Sequence, residues 1–194
     1  MSERIDVCNL ALTWLGHDPI TGLDDESDAA ELCVLNYDLA RDATLEAHDW
    51  SFALKRFVPA KDATAPAFGP ANRFRIPSDI MRVVSVDYDP DQYSTSRREA
   101  ADWTVESGFI LTSDDAIYCR GIRRIDDEGI YSALFCHAFA AKLAALIAMP
   151  LTQSRSLFEQ MTQMYTGMVM EATNRDSQQG RTRRLRNRGW LKAR

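Results

Sequence analysis

The sequence predicts an α+β protein: a four-helix bundle, a small antiparallel β-sheet domain inserted between its second and third helices, and an extended basic C-terminal arm. Three observations carry this reading. Apolar residues recur at helical spacing over roughly 3–48, alternate with a period of two between 73 and 122, and return to helical spacing from about 129. Sheet and helix signals are therefore segregated along the chain, which favours α+β over alternating α/β. Residues 175–194 hold eight basic residues and one acid, while the remainder holds 15 basic and 27 acidic residues. An acidic body with a basic arm is suited to meeting a partner at its C-terminal end.

In the first segment, roughly 3–15, Ile5, Cys8, Leu12 and Leu15 share one helical face, and Val7, Leu10, Ala11 and Trp14 cover much of the rest. A helix apolar nearly all round is central or pressed against a second chain. Gly16 and Pro19 stop it. The linker GHDPITGLDDES follows, and Asp28 with Glu31 has the spacing of a capping box. A second helix then runs to about residue 48 with a stripe of Ala29, Leu32, Cys33, Asn36, Ala40, Ala43 and Ala47. Trp50 and Phe52 close it as a packing knot, and three prolines and a glycine in PAKDATAPAFGPAN break the chain.

Arg73–Ile76, Met81–Tyr88, Trp103–Val105, Phe109–Thr112 and Ala116–Ile122 read as short strands, with Glu106-Ser107-Gly108 turning a hairpin. The polar stretch DPDQYSTSRREAAD reads as an exposed loop. The segment GIYSALFCHAFAAKLAALIAM is a third helix, ended by Pro150, and Thr152 is placed to cap a fourth. That fourth helix carries the stripe Leu157, Phe158, Met161, Met164, Tyr165, Met168, Val169 and Ala172. The expected domains are 1–56 with 126–173 for the bundle, 57–125 for the β-rich insertion, and 174–194 for the arm.

Composition, 45% hydrophobic and 26% charged, is that of an ordinary globular protein. A chain of 194 residues buries about 70% of its unfolded surface, so it needs no disulfide or metal staple. No apolar run approaches the roughly 20 residues of a membrane span, and MSERIDVCNL does not read as a signal peptide. Cys8, Cys33, Cys119 and Cys136 lack metal-ligand spacing and read as buried hydrophobes.

Candidate chemistry is sparse. His17 lies in a loop, His48 near a helix end and His137 in an apolar helix, without partners at catalytic spacing. Lys142 reads as snorkelling from a buried helix, or as pairing with an acid or another subunit. Asp24-Asp25-Glu26 and Asp126-Asp127-Glu128 stand where helices begin, where acids favour the dipole. No phosphate loop, GxSxG or HExxH is present. The expectation is a non-enzymatic protein with no catalytic residues, no cofactor and no metal. The basic tail has three readings: a solvated extension, a contact to DNA phosphates, or a segment folding on a protein partner with Leu185, Trp190 and Leu191 as anchors.

The motifs, taken in order, resemble one family. They are ID-x-CNLAL-x-x-LG-x-x-PI from Ile5 to Ile20; Tyr37, Asp38, Ala40 and Arg41; Leu45-x-x-His48-x-Trp50-x-Phe52-Ala53; FG-x-x-x-RFR-x-P-x-D from Phe68 to Asp79; Arg82-Val83; and W-x-V-E-x-G-x-ILT from Trp103 to Thr112. Their order and spacing resemble the tail tubular protein A family of short-tailed bacteriophages, the head-to-tail adaptors, over about 1–172. The resemblance implies a helical bundle with a β insertion. It also implies a virion protein, made in the host bacterial cytoplasm, that forms a homo-oligomeric ring, expected dodecameric, under the portal ring. Such a ring extends the DNA channel, passes double-stranded DNA without sequence specificity, and docks the tail nozzle and fibres; no membrane is involved. By that resemblance the portal-binding arm comprises Arg181, Arg183, Arg184, Leu185, Arg186, Arg188, Trp190 and Leu191, and Trp50 and Phe52 form the structural junction between bundle and insertion. The alternative is a DNA-binding regulatory protein with an acidic oligomerisation domain and a basic arm.

Overall fold

The computed structural model describes residues 4–87 and 102–177. The structure is α+β, with four helices and two small antiparallel sheets among the described residues. The chain divides into two compact units. One runs up to Ala53 and resumes at Arg124; the other is Leu54–Arg123.

The helical unit starts with α1, Arg4–Trp14, which buries Val7, Cys8, Ala11 and Leu12. Gly16 ends it in the left-handed region at φ 73°, where the His17 N–H donates back to the Leu12 carbonyl. The linker is pinned to α1 through Asn9, whose side chain donates to the Ile20 carbonyl (3.1 Å) and accepts from the Ile20 N–H (2.8 Å). That pair imitates one rung of a β ladder and satisfies a loop that has no backbone partner there.

Helix α2 spans Asp28–Glu46. Its cap is Ser27, one residue before the expected Asp28: the Ser27 hydroxyl accepts from the Ala30 N–H, and Asp28 and Glu31 stand in the first turn. The buried face is also rotated from the expected one. It is Ala29, Ala30, Cys33, Tyr37, Ala40, Arg41, Thr44 and Leu45, whereas Leu32, Asn36 and Ala43 are half-buried and Ala47 is exposed. A stripe of small residues does not fix a helix's rotation; the large Tyr37 and Arg41, both with inward partners, do.

A 3₁₀ turn at Glu128–Ile130 precedes α3, Ala133–Thr152, capped by Ser132. Helix α3 is the hub and packs on α1, α2 and α4. By length and composition alone it is apolar enough to cross a bilayer, although His137 and Lys142 interrupt its apolar run. Eleven of its residues are buried in the protein, as in a core helix. His137 is exposed, edge-on to Trp14, while its neighbour Cys136 is buried. Pro150 does not end α3. It lies in the last turn, where the missing N–H costs one hydrogen bond, and the helix closes at Gln153 (φ 53°) with its N–H on the Met149 carbonyl. The cap of α4, Arg155–Ser177, is therefore Ser154 rather than Thr152: the Ser154 hydroxyl accepts from the Leu157 N–H, while Thr152 bonds back to the Ala148 carbonyl.

The β unit holds β1 (Leu54–Phe57), β2 (Asn72–Arg75), β3 (Ile80–Asp87), β4 (Thr104–Glu106), β5 (Phe109–Thr112) and β6 (Tyr118–Arg123). These form two three-stranded antiparallel sheets, β1-β6-β3 and β2-β5-β4, rather than one. Strand β1 escaped the sequence reading, which gave residues up to 56 to the helices; four residues are too few to show alternation, and Leu54 itself is exposed. In the structure the unit runs from Leu54 to Arg123. Phe57, Ile80, Val86 and Cys119 of the first sheet meet Phe74 and Ile110 of the second in one apolar core, with Ile117. The hairpin β4–β5 turns through Ser107 (φ 49°) and Gly108 (φ 80°), the two left-handed residues that match the twist of its strands. Gly121 on β6 is required by close approach: a Cβ there would lie 2.7 Å from the Arg82 carbonyl oxygen and 2.8 Å from Ile80 Cγ2.

Candidate interaction surfaces

Within the helical unit, Trp50 is 1% exposed. Its indole Nε1–H donates to the Thr44 carbonyl at 2.8 Å, and its ring meets Phe135 edge-on at 5.1 Å and His48 at 5.2 Å. Phe52 packs on Phe135 (5.1 Å) and Tyr131 (5.9 Å). The last turn of α2, residues 48–52 and the start of α3 are thus joined by one aromatic cluster. Edge-to-face pairs of this kind each add about 0.5–1.5 kcal/mol beyond area burial.

Around it run polar ties that the sequence did not disclose. Asp176, on the last turn of α4, accepts from the Ser51 N–H (2.9 Å) and the Ser51 hydroxyl (2.6 Å), with His48 Nε2 at 3.7 Å. Arg41, 7% exposed, reaches Asp126 (2.8 Å), Asp42 (3.0 Å) and Asp38 (3.2 Å). Burial works against its charge, but the Asp42 hydrogen bond and the three carboxylates outweigh it and raise its pKa. Arg124 also bonds Asp42. The Tyr37 hydroxyl donates to Glu128 at 3.1 Å; burial and then that carboxylate push its pKa well up. Together these contacts clamp α2 to the segment 124–128. The acid run Asp126-Asp127-Glu128 is split between Arg41, the 3₁₀ cap and Tyr37.

Lys142 places its ammonium 5.1 Å from the Tyr165 ring centroid, a cation–π contact across α3 and α4. Its partner is an aromatic face rather than an acid. The Cys8 thiol is pushed up by its hydrogen bond to Cys33 and by burial, and burial pushes Cys119 up to about 12, so both resist ionisation. All four cysteines are buried. Among the described residues, no group of three or more His, Cys, Asp or Glu side chains is placed to hold a metal. In the β unit, Ile76, Pro77, Met81, Val83, Trp103 and Val105 line an open apolar groove of about 710 Å³, and no nucleophile–base pair faces it.

Charge divides sharply. The described helical residues, 4–53 and 124–177, carry 17 acids and six bases; the described β residues, 54–87 and 102–123, carry seven acids and eight bases. The acidity of the body therefore belongs to the helices. The outward face of α2 adds apolar side chains to it: Val34, Leu35 and Leu39 are 43%, 77% and 59% exposed, beside exposed Asp28, Glu31, Asp38 and Glu46. Sequence periodicity hid this face because apolar residues lie on both sides of the helix.

The anticipated arm residues Arg181, Arg183, Arg184, Leu185, Arg186, Arg188, Trp190 and Leu191 lie outside the described residues, as do Tyr88 and most of the loop after it. Comparison with protein-family models and with curated proteins returned no match.

Proposed function

We propose that this chain is a structural head-to-tail adaptor of a short-tailed bacteriophage virion. On this reading the four helices make one bundle with the β unit inserted between its halves. Copies join into a ring, expected to be a dodecamer, beneath the portal. The ring extends the DNA channel and offers a platform to the tail nozzle and fibres.

The observation that carries the reading is the division of the chain: a helical unit assembled from both ends of the body and a β unit from its middle. It is the chain order implied by the motifs from Ile5 to Thr112. The charge distribution supports it as well. A channel built on the acidic helical unit repels duplex phosphates and lets DNA slide without being gripped. Segment 178–194, with seven bases and no acid, is the candidate portal-binding element. Trp50 and Phe52 rigidify the chain just before it enters the β unit at Leu54.

The second reading, a DNA-binding regulator, is favoured by the basic segment alone. Co-sedimentation with the portal ring and with free duplex at rising salt separates the two. The adaptor binds the portal at physiological salt and loses that binding when cut after Ser177. A regulator binds free duplex with a steep salt slope and ignores the portal, and that result would refute the adaptor reading.

A further inference from the structure

The outward face of α2 is an apolar strip with an acidic border, and the chain itself supplies a segment of complementary chemistry. Val34, Leu35 and Leu39 occupy adjacent positions on two successive turns, with Glu31, Asp38 and Glu46 on the same exposed side. Segment 178–194 has seven basic residues, no acid, and the apolar pair Trp190-Leu191. The whole helical unit carries 17 acids against six bases, so a basic segment is drawn to it over any other part of the body.

Geometry brings the two within reach. The end of α4 is fastened by Asp176 to Ser51, which follows the last residue of α2, Glu46, by five positions. Leu35 lies 11 residues before Glu46, about 16 Å along the helix axis at roughly 1.5 Å per residue. The 13 residues from 178 to Trp190 span up to about 43 Å when extended, at roughly 3.3 Å per residue. A segment leaving beside the C-terminal end of α2 therefore has ample length to return along it.

We propose that segment 178–194 docks on the outward face of α2 of its own chain, with Trp190 and Leu191 on Val34, Leu35 and Leu39 and its arginines against Glu31, Asp38 and Glu46. Docking covers the largest exposed leucine of the helical unit and occupies the segment, so an outside partner must displace it. It is an autoinhibitory contact: the free chain stays monomeric, and a partner that captures the segment uncovers α2 for the next copy. The docking does not depend on the chain being an adaptor, since it rests on α2, Asp176 and the composition of the segment.

Paramagnetic broadening in the full chain tests it. The four native cysteines are buried, so a nitroxide attaches selectively to Gly189→Cys, or to Ala193→Cys as a second site. The expected result is loss of at least half the methyl intensity of Val34, Leu35 and Leu39 at low salt. The loss persists when labelled chain is diluted into a tenfold excess of unlabelled chain. It is reversed by about 0.5 M salt or by Leu35→Glu, read at Val34 and Leu39. Undiminished intensity on α2 with both nitroxide sites overturns the proposal. So does broadening that disappears on dilution, which would place the segment on another copy.

Discussion

Two side chains hold the helical unit by different means. Trp50 combines burial, ring contacts and one hydrogen bond to the Thr44 carbonyl. Trp50→Ala is expected to cost about 3–5 kcal/mol, as large aromatic truncations in cores do. Trp50→Phe retains the contact with Phe135 but removes the indole donor, leaving the Thr44 carbonyl with the Ala47 N–H alone (3.3 Å), and should cost about 0.5–1.5 kcal/mol. Denaturant midpoints check both: a Trp50→Phe protein as stable as the parent would contradict the assigned hydrogen bond, and one as damaged as Trp50→Ala would contradict the ring contacts. Arg41 acts through charge. Its guanidinium lies among Asp38, Asp42 and Asp126, so Arg41→Met keeps the packing but leaves three carboxylates facing one another. A loss of about 1–2 kcal/mol is expected: Asp38 and Asp126 are largely exposed and Arg124 still bonds Asp42, so water and that second cation take up part of the freed charge. A stability unchanged within 0.5 kcal/mol, about the level of an ordinary surface substitution, would show that Arg41 is not the clamp.

Elements were legible in proportion to their length and to the chemistry of their ends. The hairpin was readable because Ser107-Gly108 sits between two alternating segments, and α4 because its stripe, Leu157 to Ala172, repeats over about four turns. Strand β1 and the second sheet were not, since four-residue strands carry almost no period and pairing partners lie far apart: Leu54 pairs with Ile122. The rotation of α2 was missed because alanines on one side and leucines on the other give no net preference, while Arg41 and Tyr37 are buried through partners near 126–128 that no local window contains. For the same reason the Asp176–Ser51 tie was unreadable. Tight packing at Gly121 gives an element-scale prediction. Gly121→Ala forces β6 away from the Arg82 carbonyl, and a loss of about 1–3 kcal/mol is expected from thermal melts. A neutral outcome would mean that β3 and β6 stand further apart than described.

At the scale of the molecule, acid should weaken the β unit. The Lys55 hydrogen bond holds the Asp79 carboxyl below its ordinary range, Lys61 does the same for Asp115, and the Thr64 N–H with Arg73 does so for Asp62. Depressed carboxyls stabilise the fold above their unfolded pKa of about 3.9, and that contribution is lost as pH falls through the lower folded values. Melting temperature should therefore drop below about pH 4. Lys55→Met should flatten part of that drop, and an unchanged acid profile in this variant would remove Asp79 from the account.

The acidic helices, the basic segment and the order of units support the proposed ring that threads DNA beneath a portal. Electron microscopy of the full chain mixed with the portal ring of the same virus tests this most directly. The account predicts a second ring stacked coaxially under the portal, with twelve copies and a central channel, and no such ring when the chain is cut after Ser177. Portal rings left bare at saturating full-length chain would contradict it.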